Sequence, residues 1–198
     1  MKRSEFNKIK QAYGQVSSWA LWLKGKTKAD TSDISLFINP SDDMIKKIHT
    51  EYIFVGLNIS GPIPRDRPFG NFHGGRNDYW LRDAIKDTPL VGSYMTDILK
   101  FHVDPNSTSV IKYFKNKQEE LDAHIIKFKQ ELIDIGANKS SKLIALGNDT
   151  FSILKNSNLE NPILKLKHYA YRQRKGENKA ISYRNEVQDL LGLKLTVN

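Results

Sequence analysis

The sequence predicts an α/β domain, a three-layer α/β/α sandwich around a short, mainly parallel central sheet. Two patterns carry that expectation. Short continuous apolar runs such as "YIFVGLN" (52–58) and "KLIALG" (142–147) have the β-branched and aromatic content of strands covered on both faces. Between such runs lie longer segments whose apolar residues recur about once per helical turn. Strands alternating with helices imply a parallel sheet clothed on both sides. With 198 residues, 39% of them hydrophobic, the chain can bury one substantial core. It reads as a single domain, 1–198, with a helical N-terminal part (1–49) and an α/β core (50–192).

In chain order, "SEFNKIKQAYGQVSSWALWLKG" spaces Phe6, Ile9, Tyr13, Val16, Trp19 or Ala20, and Leu23 at helical intervals. With Gly25 as a stop signal, this predicts one amphipathic helix over 4–25. "KTKADTSD" is a polar loop, and "SDDMIKKIHTE" predicts a short helix capped by Ser41. "YIFVGLN" is the first strand. "NDYWLRDAIKD" predicts a helix that turns Tyr79, Trp80, Ala84 and Ile85 inward, and "PLVGSYMTDIL" a second strand ending near Thr96. The stretch 109–137 has the pattern of one long amphipathic helix ending at Gly136. "KLIALG" is the next strand, followed by a helix over "NDTFSILKN", a last strand over "PILKLKHYAY" and a closing helix over "NKAISYRNEVQDLLG". There is no internal repeat and no low-complexity linker.

Composition narrows the chemistry. Lys+Arg minus Asp+Glu is 31 − 22 = +9. Such an excess favours an acidic partner, nucleic acid first and an anionic membrane surface second, although a merely solvated basic surface has the same signature. The absence of cysteine removes disulfides, thiol catalysis, thiolate zinc sites and iron–sulfur clusters. His49, His73, His102, His124 and His168 show no HExxH-like spacing, so neither metal nor other cofactor is expected. No apolar run approaches the roughly 20 residues of a membrane span. The start "MKRSEFNKIKQAYGQ" lacks a signal-peptide apolar region. The expectation is a soluble, cytoplasmic, monomeric protein with no membrane partner.

The irregular stretch after the first strand, "ISGPIPRDRPFGNFHGGRN", is far longer than a plain connection requires. In open parallel sheets, ligands sit outside the carboxyl ends of the strands, in the loops that follow them. Asn58, Asp97, Gly147–Asn148 and His168 all fall at such predicted ends. Each also has an ordinary role open to it: Asn58 as a turn cap, Asp97 as a helix cap, Gly147–Asn148 as a helix start, His168 as partner of a carboxylate. Their convergence at one sheet edge, beside a Gly/Pro-rich loop, is what points to a site.

These residues carry a family resemblance. "VGLNISG" with "FHGGRNDYW" resembles the first motif of the uracil-DNA glycosylase superfamily, most closely the G-[IVM]-N-P-G and F-x-x-x-x-N-x-F-W of its mismatch-specific uracil/thymine branch. Gly56, Asn58, Phe72, Asn77, Tyr79 and Trp80 fall on that pattern in order, with a slightly longer Asn58–Phe72 spacing. "YMTDILKF" resembles the T-[DN]-L-V element, "LIALG" the strand before the last motif, and "HYAYR" stands in the place of the single-strand-selective branch's H-P-S-P-R. The resemblance spans roughly residues 50–192. Ile59 replaces the motif's proline, and Tyr169 and Ala170 replace Pro-Ser.

The resemblance implies a DNA glycosylase of base excision repair. Such a hydrolase flips a uracil, mismatched or modified pyrimidine out of single- or double-stranded DNA and breaks its N-glycosidic bond. Asn58 would hold the attacking water, with Asp66 as a possible replacement base from the loop, and His168 would donate to the leaving base at O2. Phe72 would stack on the base, with Ile59 and Asp97 completing its pocket. An ionised Asp97 only accepts hydrogen bonds, so it would favour an amino-bearing edge over uracil O4. Arg172 stands at the wedge position of that branch. Together with Arg174 and Lys175, and with Arg65, Arg67 and Arg76 on the same rim, it would contact phosphates. The altered motif positions leave open a non-catalytic nucleic-acid-binding protein on the same fold, a hydrolase of free nucleosides or nucleotides, or a basic face for an acidic protein.

Overall fold

The computed structural model describes residues 1–100 and 102–193. Phe101, at the end of the second motif, and the last five residues of the expected domain, 194–198, lie outside the described residues.

Along the chain run α1 (Arg3–Tyr13), β1 (Ser17–Trp19), α2 (Ser35–Ile38), α3 (Asp42–Lys47), β2 (His49–Asn58), α4 (Asp78–Ile85) and β3 (Ser93–Leu99). There follow α5 (Ser107–Phe114), α6 (Gln118–Asp134), β4 (Lys142–Leu146), α7 (Asn148–Lys155), β5 (Ile163–Leu166) and α8 (Lys179–Leu190). The strands form one sheet in the order β1-β3-β2-β4-β5, parallel except for the antiparallel edge strand β1. The expected α/β architecture with a mainly parallel sheet is therefore present.

Each face of the sheet carries its own core. Ile53, Val55 and Leu57 of β2 join Leu143 and Ala145 of β4 beneath α1, α3, α5 and α6. Phe54, Ile144 and Leu146 point the other way, against Leu81 and Ile85 of α4 and Tyr183 and Val187 of α8. Burial on both sides is why these strands read as continuous apolar runs rather than as alternating ones.

The loop between β2 and α4 is held by its own anchor. Phe69 is fully buried among Phe6, Trp19 and Phe37, with ring centroids 5.5, 6.2 and 5.6 Å away. Its carbonyl accepts from Ser18 Oγ at 2.8 Å and its N–H donates to Gly14 O at 2.5 Å. Phe69 and Phe72 both sit at φ 61°, a left-handed conformation that costs a non-glycine residue about 1 kcal/mol or more. Burying a phenylalanine contributes about 1.5–3 kcal/mol, enough to offset that strain and fix the loop's path.

Four expectations are corrected. The helix over 4–25 ends at Tyr13, and residues 17–19 pair instead with the open edge of β3, Ser17 opposite Thr96 and Trp19 opposite Tyr94. Ser17 and Ser18 are weak helix formers, and the ladder together with the buried Trp19 outweighs the helical spacing. The second strand does not stop near Thr96. It runs to Leu99 in register with β2, which places Asp97 opposite Gly56 inside the sheet, and the next helix begins only at Ser107, so Asp97 caps no helix. The single helix over 109–137 is two, broken at residues 115–117, with Phe114 of the first and Phe128 of the second in the same core. In α4 Ala84 and Ile85 are buried as expected and Trp80 packs half-buried against their core, but Tyr79 lies half-buried against Trp80 at 4.5 Å, and the other inward positions are Asp78 and Leu81.

The Ser41 cap of α3 is as expected, its side chain accepting from Met44 N at 3.1 Å. No helix among the described residues is long and apolar enough to cross a membrane.

Candidate functional site

Because β2 to β5 run parallel, the loops that follow them open at one edge of the sheet. There Asn58, Asp97, Gly147, Asn148 and His168 line a single cavity of about 730 Å³, together with Phe72, Arg67 and Arg76. Ile59 is buried just outside the lining. Arg65 is exposed beside the lining residue Pro64, and Arg172, Arg174 and Lys175 are exposed beyond the lining residue Tyr171. A larger hollow of about 950 Å³ lies near Glu5, His49 and Asp134, and it gathers none of the strand-end residues.

Asp97 is one wall of the cavity and is only 3% exposed. Its Oδ1 packs on Gly56, where an added Cβ would come within 2.1 Å of that oxygen and 3.4 Å of Phe72 Cζ. A glycine is needed there for the carboxyl and the ring to approach the strand. Asn71 Nδ2 donates to Asp97 Oδ2 at 2.8 Å and to Val16 O at 3.3 Å, while Asn71 Oδ1 accepts from Phe72 N at 3.2 Å. Trp22 Nε1 donates to Phe72 O at 3.2 Å, so the peptide groups on both sides of the strained Phe72 are tied. Burial raises the Asp97 carboxyl to about 6 against the pull of the Asn71 bond and the Lys100 charge. Lys100 itself is bound into a buried cluster with Glu131 of α6, whose Oε1 accepts from Tyr94 OH at 2.8 Å and Thr96 Oγ1 at 2.9 Å.

Asn58 spends its amide nitrogen on the backbone. Nδ2 faces Ile59 O and His102 O at 3.1 Å and Asp104 O at 2.8 Å, clasping the loop after β3 to the loop after β2. Three carbonyls around one nitrogen fix which way the amide points. Its Oδ1 makes no bond among the described residues. That leaves a lone acceptor able to orient a water but not to take its proton.

His168 has a defined tautomer. Ala170 N–H donates to Nδ1 at 3.1 Å, so the ring proton sits on Nε2. Burial and the charge of Lys179 hold the imidazole down at about 4, so the ring is neutral at pH 7. It stacks on Tyr169 at 4.5 Å and 29°. Tyr169 is buried beside Asp78, which accepts from Gly75 N at 2.7 Å ahead of α4 and whose carboxyl burial pushes up. The residue that breaks the last motif thus fills the space between a neutral histidine and a buried acid. Sequence reasoning missed Asn71 and Asp78. Asp78 stood within the "RNDYW" match between motif positions, but nothing in the spacing marked Asn71.

Of the rim cations, Arg67 is tied to Ser32 O at 2.8 Å, whereas Arg65, Arg76, Arg172, Arg174 and Lys175 make no side-chain ion pair among the described residues. Comparison with known proteins gives no family: no protein-family model matches the sequence, and no curated protein or solved structure matches it significantly.

Proposed function

We propose that this protein hydrolyses the N-glycosidic bond of a pyrimidine nucleotide turned out of DNA, and that its sheet is the fold of the uracil-DNA glycosylases its motifs resemble. One observation carries the reading: a neutral Nε2–H donor, an aromatic ring, a buried carboxyl and a lone amide acceptor line the same cavity. The unpaired cations beside its mouth suit a phosphate backbone.

In this mechanism the flipped base stacks on Phe72 and meets Asp97 at the cavity wall. As the glycosidic bond breaks, its electron pair moves onto the base, and His168 Nε2–H donates to the carbonyl where negative charge develops. A preorganised donor of this kind contributes about 3–4 kcal/mol to the transition state. A water held at Asn58 Oδ1 adds to the electron-poor C1′ and then gives up a proton to the base anion or to solvent. A neutral imidazole suits the task, since it stabilises the anion without first protonating the base.

Abasic-site formation tests the reading, on single- and double-stranded oligonucleotides carrying uracil, mispaired thymine and modified cytosines. Asn58→Ala and His168→Ala should each slow base release by about 100-fold or more, while nucleic-acid affinity changes little. Rates within about twofold of the parent in both variants would remove the mechanism. Binding without release from any substrate would leave a non-catalytic binder, and cleavage of free nucleosides alone would make the protein a nucleoside hydrolase.

A further inference from the structure

We propose that Asn71 determines which base edge the cavity accepts: by taking one oxygen of Asp97 and holding the carboxyl as an acceptor, it selects an amino-bearing pyrimidine over one that presents a carbonyl. The inference rests on the N-glycosidase reading and adds a residue and a base class to it.

The geometry around Asp97 leaves few choices. Oδ1 is pressed onto Gly56 beside the edge of Phe72, so the carboxyl shares the patch of strand against which the base-stacking ring lies. Oδ2 is occupied by Asn71 Nδ2 at 2.8 Å. Asn71 cannot turn its amide over, because Phe72 N–H already donates to its Oδ1 and Val16 O accepts from its Nδ2. The amide therefore always shows Asp97 a donor, which stabilises the ionised, acceptor-only form. A carboxylate can receive an N4 amino group but repels an O4 carbonyl, whereas a protonated carboxyl offers a donor beside an acceptor and serves either edge.

The other charged groups near Asp97 are fixed in number. Lys100, later in the chain beyond β3, favours its ionised form, and Glu131 on α6 opposes it. Tyr169, from the segment after β5, faces it as a neutral phenol whose ionisation burial suppresses. β2 contributes only Gly56 at this point. With burial raising Asp97 to about 6, the Asn71 bond is the largest influence keeping the proton off near neutrality.

The test uses oligonucleotides with a single 2′-fluoro-2′-deoxycytidine or 2′-fluoro-2′-deoxyuridine, whose glycosidic bonds resist cleavage, so that binding is read without turnover. The parent should bind the cytidine probe more tightly at pH 7.5 and lose that preference at pH 5. In the near-isosteric Asn71→Leu the preference at pH 7.5 should fall about tenfold, the scale of one lost hydrogen-bond discrimination in a desolvated site. In parallel, the ¹³C carboxyl titration of Asp97 should move to higher pH in Asn71→Leu, a shift that a purely structural role would not produce. An unchanged probe ratio, or an unmoved Asp97 titration in a folded variant, overturns the proposal.

If Asn71→Leu does not fold, the parent alone decides: its probe ratio must follow the Asp97 titration with pH, and a flat ratio rejects the idea. A protein that binds neither probe sinks the N-glycosidase reading and the base-edge assignment with it. A shifted Asp97 titration would then show separately that Asn71 governs the carboxyl.

Discussion

A carboxyl group that is 3% exposed and holds its proton to about pH 6 subtracts from stability wherever it is ionised. Its pKa is raised from the ordinary 3.8, so its contribution is fully present below pH 3.8 and is lost as pH rises through 6. Above that, Asp97 costs the fold on the order of 2–3 kcal/mol. Asp97→Asn should therefore raise the thermal midpoint more at pH 7.5 than at pH 4.5, since an amide oxygen can still accept from Asn71. Equal gains at the two pH values would mean that the carboxyl is not strained by burial. The same variant offers a donor beside an acceptor and should move base preference toward uracil by about tenfold. His168 has the opposite sign: its pKa is lowered from 6.5 to about 4, so its stabilisation holds above 6.5 and drains away as pH falls toward 4. Asn58, Asp97 and His168 stood out in the sequence as polar residues at expected strand ends, and Phe72 by its place in the resembling motif; the structure lines one cavity with all four. Asn71 did not stand out, because its importance comes only from the folding of its loop against β2 and β3.

At the scale of elements, β2 and β3 make the site by ending together, and Gly56 is where they leave room for it. A Cβ there would meet Asp97 Oδ1 at 2.1 Å, inside a sheet where Gly56 is registered against Asp97 of β3. Gly56→Ala should expel the carboxyl from its place, abolish base release and lower stability by about 1–3 kcal/mol. Activity within about twofold of the parent would show that Asp97 has no part in the site. The misread elements have related causes. Val16 to Leu23 keep a helical spacing, but over so few residues the same apolar positions also fit an extended segment, and the open edge of β3 decided between them. Asp97 suggested a strand end because a buried carboxyl is rare in a sheet. Gly56 leaves it room and Asn71 donates to it, and both residues are distant from it in the chain. Helical phase carries across residues 115–117, so the break between α5 and α6 left little trace in the pattern.

For the molecule as a whole, the excess of +9 has a direction if the unpaired cations on either side of the cavity meet one polyanion. Replacing Arg172, Arg174 and Lys175 together should lower the slope of log affinity against log salt by about two to three on duplex DNA. An unchanged slope would mean that the segment is merely solvated. The sheet itself has two edges, and they are finished differently. β5 carries the exposed Lys165, a charge that discourages foreign strands. β3 is buried along its whole length and depends on the three residues of β1 to cover its outer side. Ser18→Pro should unseat that cover. The expected result is protein that scatters light and binds thioflavin T at concentrations where the parent stays clear, and an unchanged solution would show that α-helical neighbours suffice to protect the edge. Shelf life in concentrated solution thus depends on Ser17, Ser18 and Trp19, which on one side hold the Phe69 anchor of the cavity loop and on the other keep one copy's sheet from continuing into the next.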